Sequence, residues 1–223
     1  MTDLRIALFD FDGTLCDSAA SIIRLTRHAC AIAKVAEPSV AQIRQNIGEG
    51  LFAAGLDYAG GDEDKAQIIF DSYRMEARRE FTLPKTDIDP LFDGAKSALE
   101  RLAKQGYLLG IVTNKGRHGL AQMMARHAID HLIDVSFTAD DTAVKPAPDM
   151  AIAALAHFDI APHHAALVGD TVNDALCAKG AGVPFIGVDW GYHDNQLLRD
   201  HGAVHIATDF DDLTTSINQL VGS

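Results

Sequence analysis

Apolar residues follow two rhythms along this chain. Ile6-Ala7-Leu8-Phe9 is an uninterrupted apolar run of the kind that forms a strand buried on both faces. Leu108-Leu109-Gly110-Ile111-Val112 and Ala166-Leu167-Val168 repeat the pattern. Val135-Ser136-Phe137 is a shorter strand, and Phe185-Ile186-Gly187-Val188 and Val204-His205-Ile206 are weaker ones. Between these runs the spacing turns helical. Ala95, Ala98, Leu99, Leu102 and Ala103 make one face stopped by Gly106, a second helix covers residues 119–127, and a third carries Ile152, Leu155 and Ala156. Alternation of strand and helix from Asp93 onward predicts a parallel sheet with helices on both faces.

Residues 18–83 keep only the helical rhythm. Ile22, Leu25, Thr26, Ala29, Ile32 and Ala33 recur at spacings of three and four, with Asp17 or Ser18 as the candidate N-cap. Breaks are expected at Glu37-Pro38, at residues 46–50 and at Gly60-Gly61-Asp62. The expectation is an α/β protein: a doubly wound, Rossmann-like parallel sheet from residues 1–16 and 86–223. A small all-helical cap, residues 17–85, is inserted after the first strand and bounded at its far end by Leu83-Pro84 and Asp89-Pro90.

Composition narrows the functional classes. Hydrophobic content of 48% and charged content of 22% describe an ordinary globular protein, and 223 residues can bury a substantial core. A formal charge of −12 argues against nucleic acid or an anionic membrane as partner. No apolar run approaches the roughly 18 residues of a membrane span, and no signal-like segment opens the chain. Cys16, Cys30 and Cys177 are odd in number and lack metal-ligand spacing, which fits a reducing cytoplasm. The pattern carries no signal for an oligomeric state.

The candidate chemistry lies where the strands end. The first run stops in Asp10 and Asp12, and Gly13 then lets the chain turn. Along an extended backbone these two carboxylates point the same way, repel, and call for a hard cation such as Mg²⁺. Thr113-Asn114 ends the second long run, Lys145 precedes the third, and Asp170 with Asp174 follows it. In a parallel sheet all of these converge on one edge, beyond the carboxyl ends of the strands. Carboxylates, a hydroxyl and an ammonium are the parts needed for phosphoryl transfer, in which positioning and charge neutralisation do most of the catalysis.

These residues resemble the four motifs of the haloacid dehalogenase superfamily of phosphotransferases. The matches are Asp10-Phe11-Asp12-Gly13-Thr14-Leu15, Thr113-Asn114, Lys145-Pro146 and Gly169-Asp170-Thr171-Val172-Asn173-Asp174. The resemblance implies that Asp10 is a nucleophile forming an aspartyl-phosphate and that Asp12 is the general acid and base. It implies Mg²⁺ held by Asp10, the Asp12 backbone carbonyl and Asp170. Thr113, the Asn114 backbone and Lys145 would bind the phosphoryl group, with Gly13, Thr14 and Asp174 in support.

The cap loop Gly48, Glu49 and Gly50, and the stretch 187–192, look most like phosphoglycolate phosphatases. The implied substrate is a small phosphorylated metabolite, with 2-phosphoglycolate as the leading expectation. Phosphomutase, nucleotidase and pyrophosphatase activities on the same scaffold are alternatives. A non-catalytic switch of receiver type is the alternative of another class, although Asp12 and the cap have no purpose in it.

Other residues have simpler readings. Arg44 and Arg74 could reach a substrate carboxylate but fit exposed helix cations better. Cys16 follows the catalytic loop and could be oxidisable, yet a small buried cysteine is usually inert. Trp190 and Tyr192 could line the mouth of the site or pack beneath a loop, and His163-His164 reads as an exposed turn.

Overall fold

The computed structural model describes residues 4–82 and 89–221. The chain runs β1 (Ile6–Phe9), α1 (Ala19–Ile32), α2 (Val40–Gln45), α3 (Leu51–Tyr58), α4 (Glu63–Glu80), α5 (Ala95–Lys104), β2 (Leu108–Thr113), α6 (Arg117–His127) and β3 (Val135–Thr138). It continues through α7 (Asp149–Phe158), β4 (Ala165–Gly169), α8 (Val172–Ala181), β5 (Phe185–Val188), α9 (Asn195–Asp200), β6 (Ala203–Ala207) and α10 (Phe210–Val221).

All six strands join one parallel sheet in the order β3-β2-β1-β4-β5-β6. Every residue of β1 and β4 is buried, which is why these strands read as unbroken apolar runs. Helices cover both faces. Ala98, Leu99 and Leu102 of α5 and Leu213 and Ile217 of α10 join Phe9 and Ile111 in one core layer; Met150 and Ala154 of α7 and Ala178 of α8 join Leu8 and Leu167 in the other. The chain winds outward from β1 in two directions, so the crevice at the ends of β1, β2 and β4 is where the strand order reverses.

Helix α7 has a different buried face from the one its spacing suggests. Met150, Ala151, Ala154 and Leu155 are inside, whereas Ile152 is 48% exposed. Small alanines let α7 lie close to α8, and the helix turns its bulkier Ile152 outward.

Between β1 and α5 the described residues form helices and turns. The breaks fall where expected, before α2, between α2 and α3, and at Asp62, whose side chain caps α4 by accepting from Lys65 N at 3.1 Å. Helices α1 and α3 pack on α4, with Ala29, Cys30, Ala33 and Ile69 in a small core of their own. Ser18 is the N-cap of α1, but its hydroxyl turns away from the helix to the Tyr192 hydroxyl, 3.3 Å away. The expected boundary at Leu83-Pro84 lies outside the described residues. Nearby, Asp17 N donates to Pro90 O at 2.9 Å and Phe92 N to Leu15 O at 3.0 Å, so the chain leaves the sheet and returns along adjacent paths.

Candidate active site

Asp10 extends β1 by donating its N–H to Val168 O at 2.9 Å, which fixes its side chain over the centre of the sheet edge. Its carboxylate is buried and accepts from Phe11 N at 2.7 Å. The turn that follows needs glycine. Gly13 has φ +83°, and a Cβ there would run into the Asp170 carboxylate and the Tyr192 ring.

Lys145 reaches into this edge and is 1% exposed. Its Nζ lies 3.0 Å from Asp10 Oδ1 and 2.5 Å from Asp174 Oδ1. The second oxygen of Asp174 accepts from Thr171 N at 3.0 Å and Thr171 Oγ1 at 2.7 Å, closing a capping box at the start of α8. Asp174 therefore starts the helix with one oxygen and anchors Lys145 with the other. Asp170 accepts from Thr14 Oγ1 at 2.8 Å and from Tyr192 N at 3.0 Å.

Carboxylate oxygens of Asp10, Asp170 and Asp174 come within 4.8 Å of one another. Burial pushes the Asp10 carboxyl up to about 6 against the pull of Lys145. Burial, followed by the charges of Asp174 and Asp10, pushes Asp170 well above the ordinary carboxylate range. One ammonium thus faces three buried carboxylates. An all-oxygen donor set with excess negative charge fits a hard divalent cation.

The Asp12 carboxylate stands apart from that cluster. It is half-buried and takes both of its partners from Lys115 Nζ, at 2.9 and 3.0 Å. Burial works against the charged form of Lys115, yet the Asp12 carboxylate outweighs it and raises the ammonium above its ordinary range. Nothing in the spacing singles out Lys115 beyond its place directly after Thr113-Asn114.

Thr113 is buried at the end of β2, and its hydroxyl accepts from Lys115 N at 3.3 Å. The side chain of Asn114 ties loops together. Its amide donates to Gly48 O at 2.9 Å and Lys145 O at 3.0 Å, and its carbonyl accepts from Lys145 N at 2.8 Å. Asn173 Nδ2 also donates to Gly48 O, at 3.1 Å. The predicted loop is thereby brought onto the site. Gly48 has φ +93°, and a Cβ there would lie 2.6 Å from Thr171 Cγ2. Glu49 is exposed, while Gly50 is buried, with a Cβ position 3.1 Å from Val144 Cγ2.

A cavity of about 510 Å³ opens from Asp10 and Asp12 toward α1, α3 and α4, and Glu49 is on its wall. Arg74 also lines it and pairs with Asp140 at 3.1 Å. Arg44 is exposed and is not on that wall. Trp190 packs on Phe210, with ring centroids 4.7 Å apart, and donates to Thr14 O at 3.0 Å, so it supports the loop that follows β1. Tyr192 binds Asp170 through its N–H, and its hydroxyl meets the N–H and the hydroxyl of Ser18 just before α1. The Cys16 thiol is buried, and desolvation drives its ionisation well above the ordinary range.

The model for haloacid dehalogenase-like hydrolases matches residues 7–188 of this chain. The chain is 29% identical over 218 residues to a phosphoglycolate phosphatase of Mannheimia succiniciproducens, covering 95% of this chain and 97% of the relative. It is 30% identical over 204 residues to a 5'-nucleotidase of Pseudomonas aeruginosa, covering 91% and 90%. A solved structure of a haloacid dehalogenase-like family hydrolase from Streptococcus pneumoniae matches with a TM-score of 0.82 at 25% identity, over 97% of this chain and 99% of that one.

Proposed function

Because the chain belongs to the haloacid dehalogenase-like hydrolase family and its relatives are phosphatases, we propose that it hydrolyses a small phosphate monoester through a phosphoenzyme on Asp10. The observation that carries this reading is the split between two carboxylates two residues apart. Asp10 is buried against Lys145, whereas Asp12 opens onto the cavity and pairs with Lys115. Two acids in different surroundings can take different roles.

In this reading an Asp10 oxygen attacks phosphorus, and the bond from phosphorus to the ester oxygen breaks. Asp12, protonated for this step, delivers its proton to the departing alkoxide, which leaves badly without one. Asp12, now a carboxylate, takes a proton from water as that water attacks the aspartyl-phosphate. The products are the alcohol, inorganic phosphate and restored Asp10. Lys145, the Thr113 hydroxyl and the Asn114 backbone hold the phosphoryl oxygens. Asp174 keeps Lys145 in place, and Thr14 and Tyr192 orient Asp170.

Asp10, Asp170 and the Asp12 backbone carbonyl would hold Mg²⁺, which when bound neutralises charge on the phosphoryl group. Residues 17–85 act as a cap that selects the leaving group, with the loop Gly48, Glu49 and Gly50 over the site. The three free, buried cysteines support a reducing cytoplasm as the working compartment. 2-Phosphoglycolate, the substrate in the name of the Mannheimia relative, belongs in the test set.

The test is inorganic phosphate release from p-nitrophenyl phosphate and a panel of alkyl phosphates with Mg²⁺, for the parent and Asp10→Asn. The parent should release phosphate and the variant should not. Appreciable turnover by Asp10→Asn would rule out Asp10 as nucleophile. Isomerised ester in place of free phosphate would identify a phosphomutase.

A further inference from the structure

We infer that the leaving group is an uncharged alcohol with an aromatic or broad apolar body, larger than glycolate; this rests on the phosphatase reading above. The first support is size. The cavity of about 510 Å³ lies within the range of sites that enclose drug-sized ligands, about 300–1,000 Å³. Glycolate has only two carbons and would leave most of it to water.

The second support is the wall. Ile22 and Leu25 of α1, Leu51 and Phe52 of α3, Phe70 of α4 and Phe81 line the space beyond the two aspartates. Phe52 meets Phe70 edge to face, with centroids 6.4 Å apart and planes at 71°. Phe52 is nevertheless 37% exposed, so an apolar ring on the wall is still in water and can be covered by a ligand.

The third support is charge. A substrate carboxylate, as in phosphoglycolate, needs a cation that is not already engaged. Arg74 is held by Asp140, whose other oxygen accepts from Arg117 N at 2.8 Å, and Lys115 is held by Asp12. Glu80 on the same wall pairs with Arg24. Arg78 is exposed on the same wall, but the acidic Glu49 and Asp89 outnumber it there, so an added carboxylate meets more negative charge than positive. Uncharged groups meet no repulsion there, and Thr26 and Tyr73 offer hydroxyls to a neutral polar atom.

The experiment compares kcat/KM for ethyl phosphate, 2-phenylethyl phosphate and 2-phosphoglycolate, with p-nitrophenyl phosphate as the measure of chemistry alone. The two alkyl esters have similar leaving groups, so their ratio reads the body of the alcohol. 2-Phenylethyl phosphate should exceed both ethyl phosphate and 2-phosphoglycolate by about tenfold or more, the scale of burying one ring. Phe52→Ala and Phe70→Ala should each lower the phenylethyl-to-ethyl ratio several-fold, and Phe52→Leu should restore part of it.

A preference for 2-phosphoglycolate, or a ratio unmoved by both alanine variants, overturns the inference. Turnover of p-nitrophenyl phosphate without any preference among the alkyl esters overturns it and leaves the phosphatase reading standing. Loss of p-nitrophenyl phosphate turnover as well would bring down that reading too.

Discussion

Asn114 and Gly48, 66 residues apart, are joined by a hydrogen bond of 2.9 Å from the side-chain amide to the main-chain carbonyl. The same carbonyl takes a second bond from Asn173. The loop between α2 and α3 is thus fastened to the ends of two central strands. Loop and site move as one piece while both amides hold it.

A side chain at position 48 has to disturb that fastening. The positive φ is strained for any L-residue, and the Cβ would meet Thr171. Gly48→Val should therefore change the ratio of kcat/KM between the best alkyl ester and p-nitrophenyl phosphate by about tenfold. Equal losses on both substrates would place this loop outside the selective part of the site.

Asp12 is expected to serve both halves of the reaction. Asp12→Asn keeps the shape and the backbone carbonyl but has no proton to give. Nitrophenolate needs none, so Asp10 should still be phosphorylated, and the slow second half should leave a burst of about one nitrophenolate per site. Rapid-mixing absorbance reads the burst. Alkyl phosphate turnover near the parental rate would remove Asp12 from the acid–base role.

Lys145 is the ammonium set between Asp10 and Asp174. In Lys145→Met, buried carboxylates lose that partner, at a cost of about 3–5 kcal/mol for breaking a buried pair. In chelator the variant should melt roughly 10 °C below the parent. Mg²⁺ should narrow the gap, because a cation relieves the same repulsion. Identical melting temperatures in chelator would show that Lys145 offsets little of it.

The raised Asp10 carboxyl carries a sign. Its folded value of about 6 lies above the ordinary 3.8, so the folded state holds the proton more tightly than the unfolded chain. In chelator the penalty is absent below about pH 4, grows as pH rises to about 6, and is then constant at roughly 3 kcal/mol. Asp10→Asn lacks this titration. It should gain stability over the parent at pH 7 and not at pH 4, as denaturant midpoints will show. A difference that is flat between those values would place the titration elsewhere.

Cys16, Cys30 and Cys177 are free and buried, and burial raises all three thiols, Cys30 and Cys177 to about 11. A disulfide reagent should label none of them in the native protein within the time it labels all three in denaturant. Rapid native labelling of Cys16 with loss of activity would restore the redox reading.

The sheet was legible because its central strands are buried on both faces and so read as unbroken apolar runs. The edge β6 was harder, since Val204 is 57% exposed and a polar His205 interrupts it. The acidic cluster was legible because Asp10, Asp170 and Asp174 all follow strand ends in a parallel sheet. The pairing of Lys115 with Asp12 was not, because it joins side chains 103 positions apart. The side-chain clamp of Asn114 and the link from Tyr192 to Asp170 were hidden for the same reason. Ser18 does stand at the N-cap of α1 as its sequence position suggests, but its hydroxyl is turned to Tyr192, which comes from a distant part of the chain.

The adjacent exit and return of the chain, where Asp17 meets Pro90 and Leu15 meets Phe92, set how freely this scaffold can be rebuilt. Two ends already side by side impose no span on whatever joins them. Lengthening the joining segment twofold costs only about 0.6 kcal/mol in closure entropy. A short turn or a different helical bundle could be spliced there with the sheet and its acidic edge left as they are. The sheet half of the molecule is, in this respect, a socket.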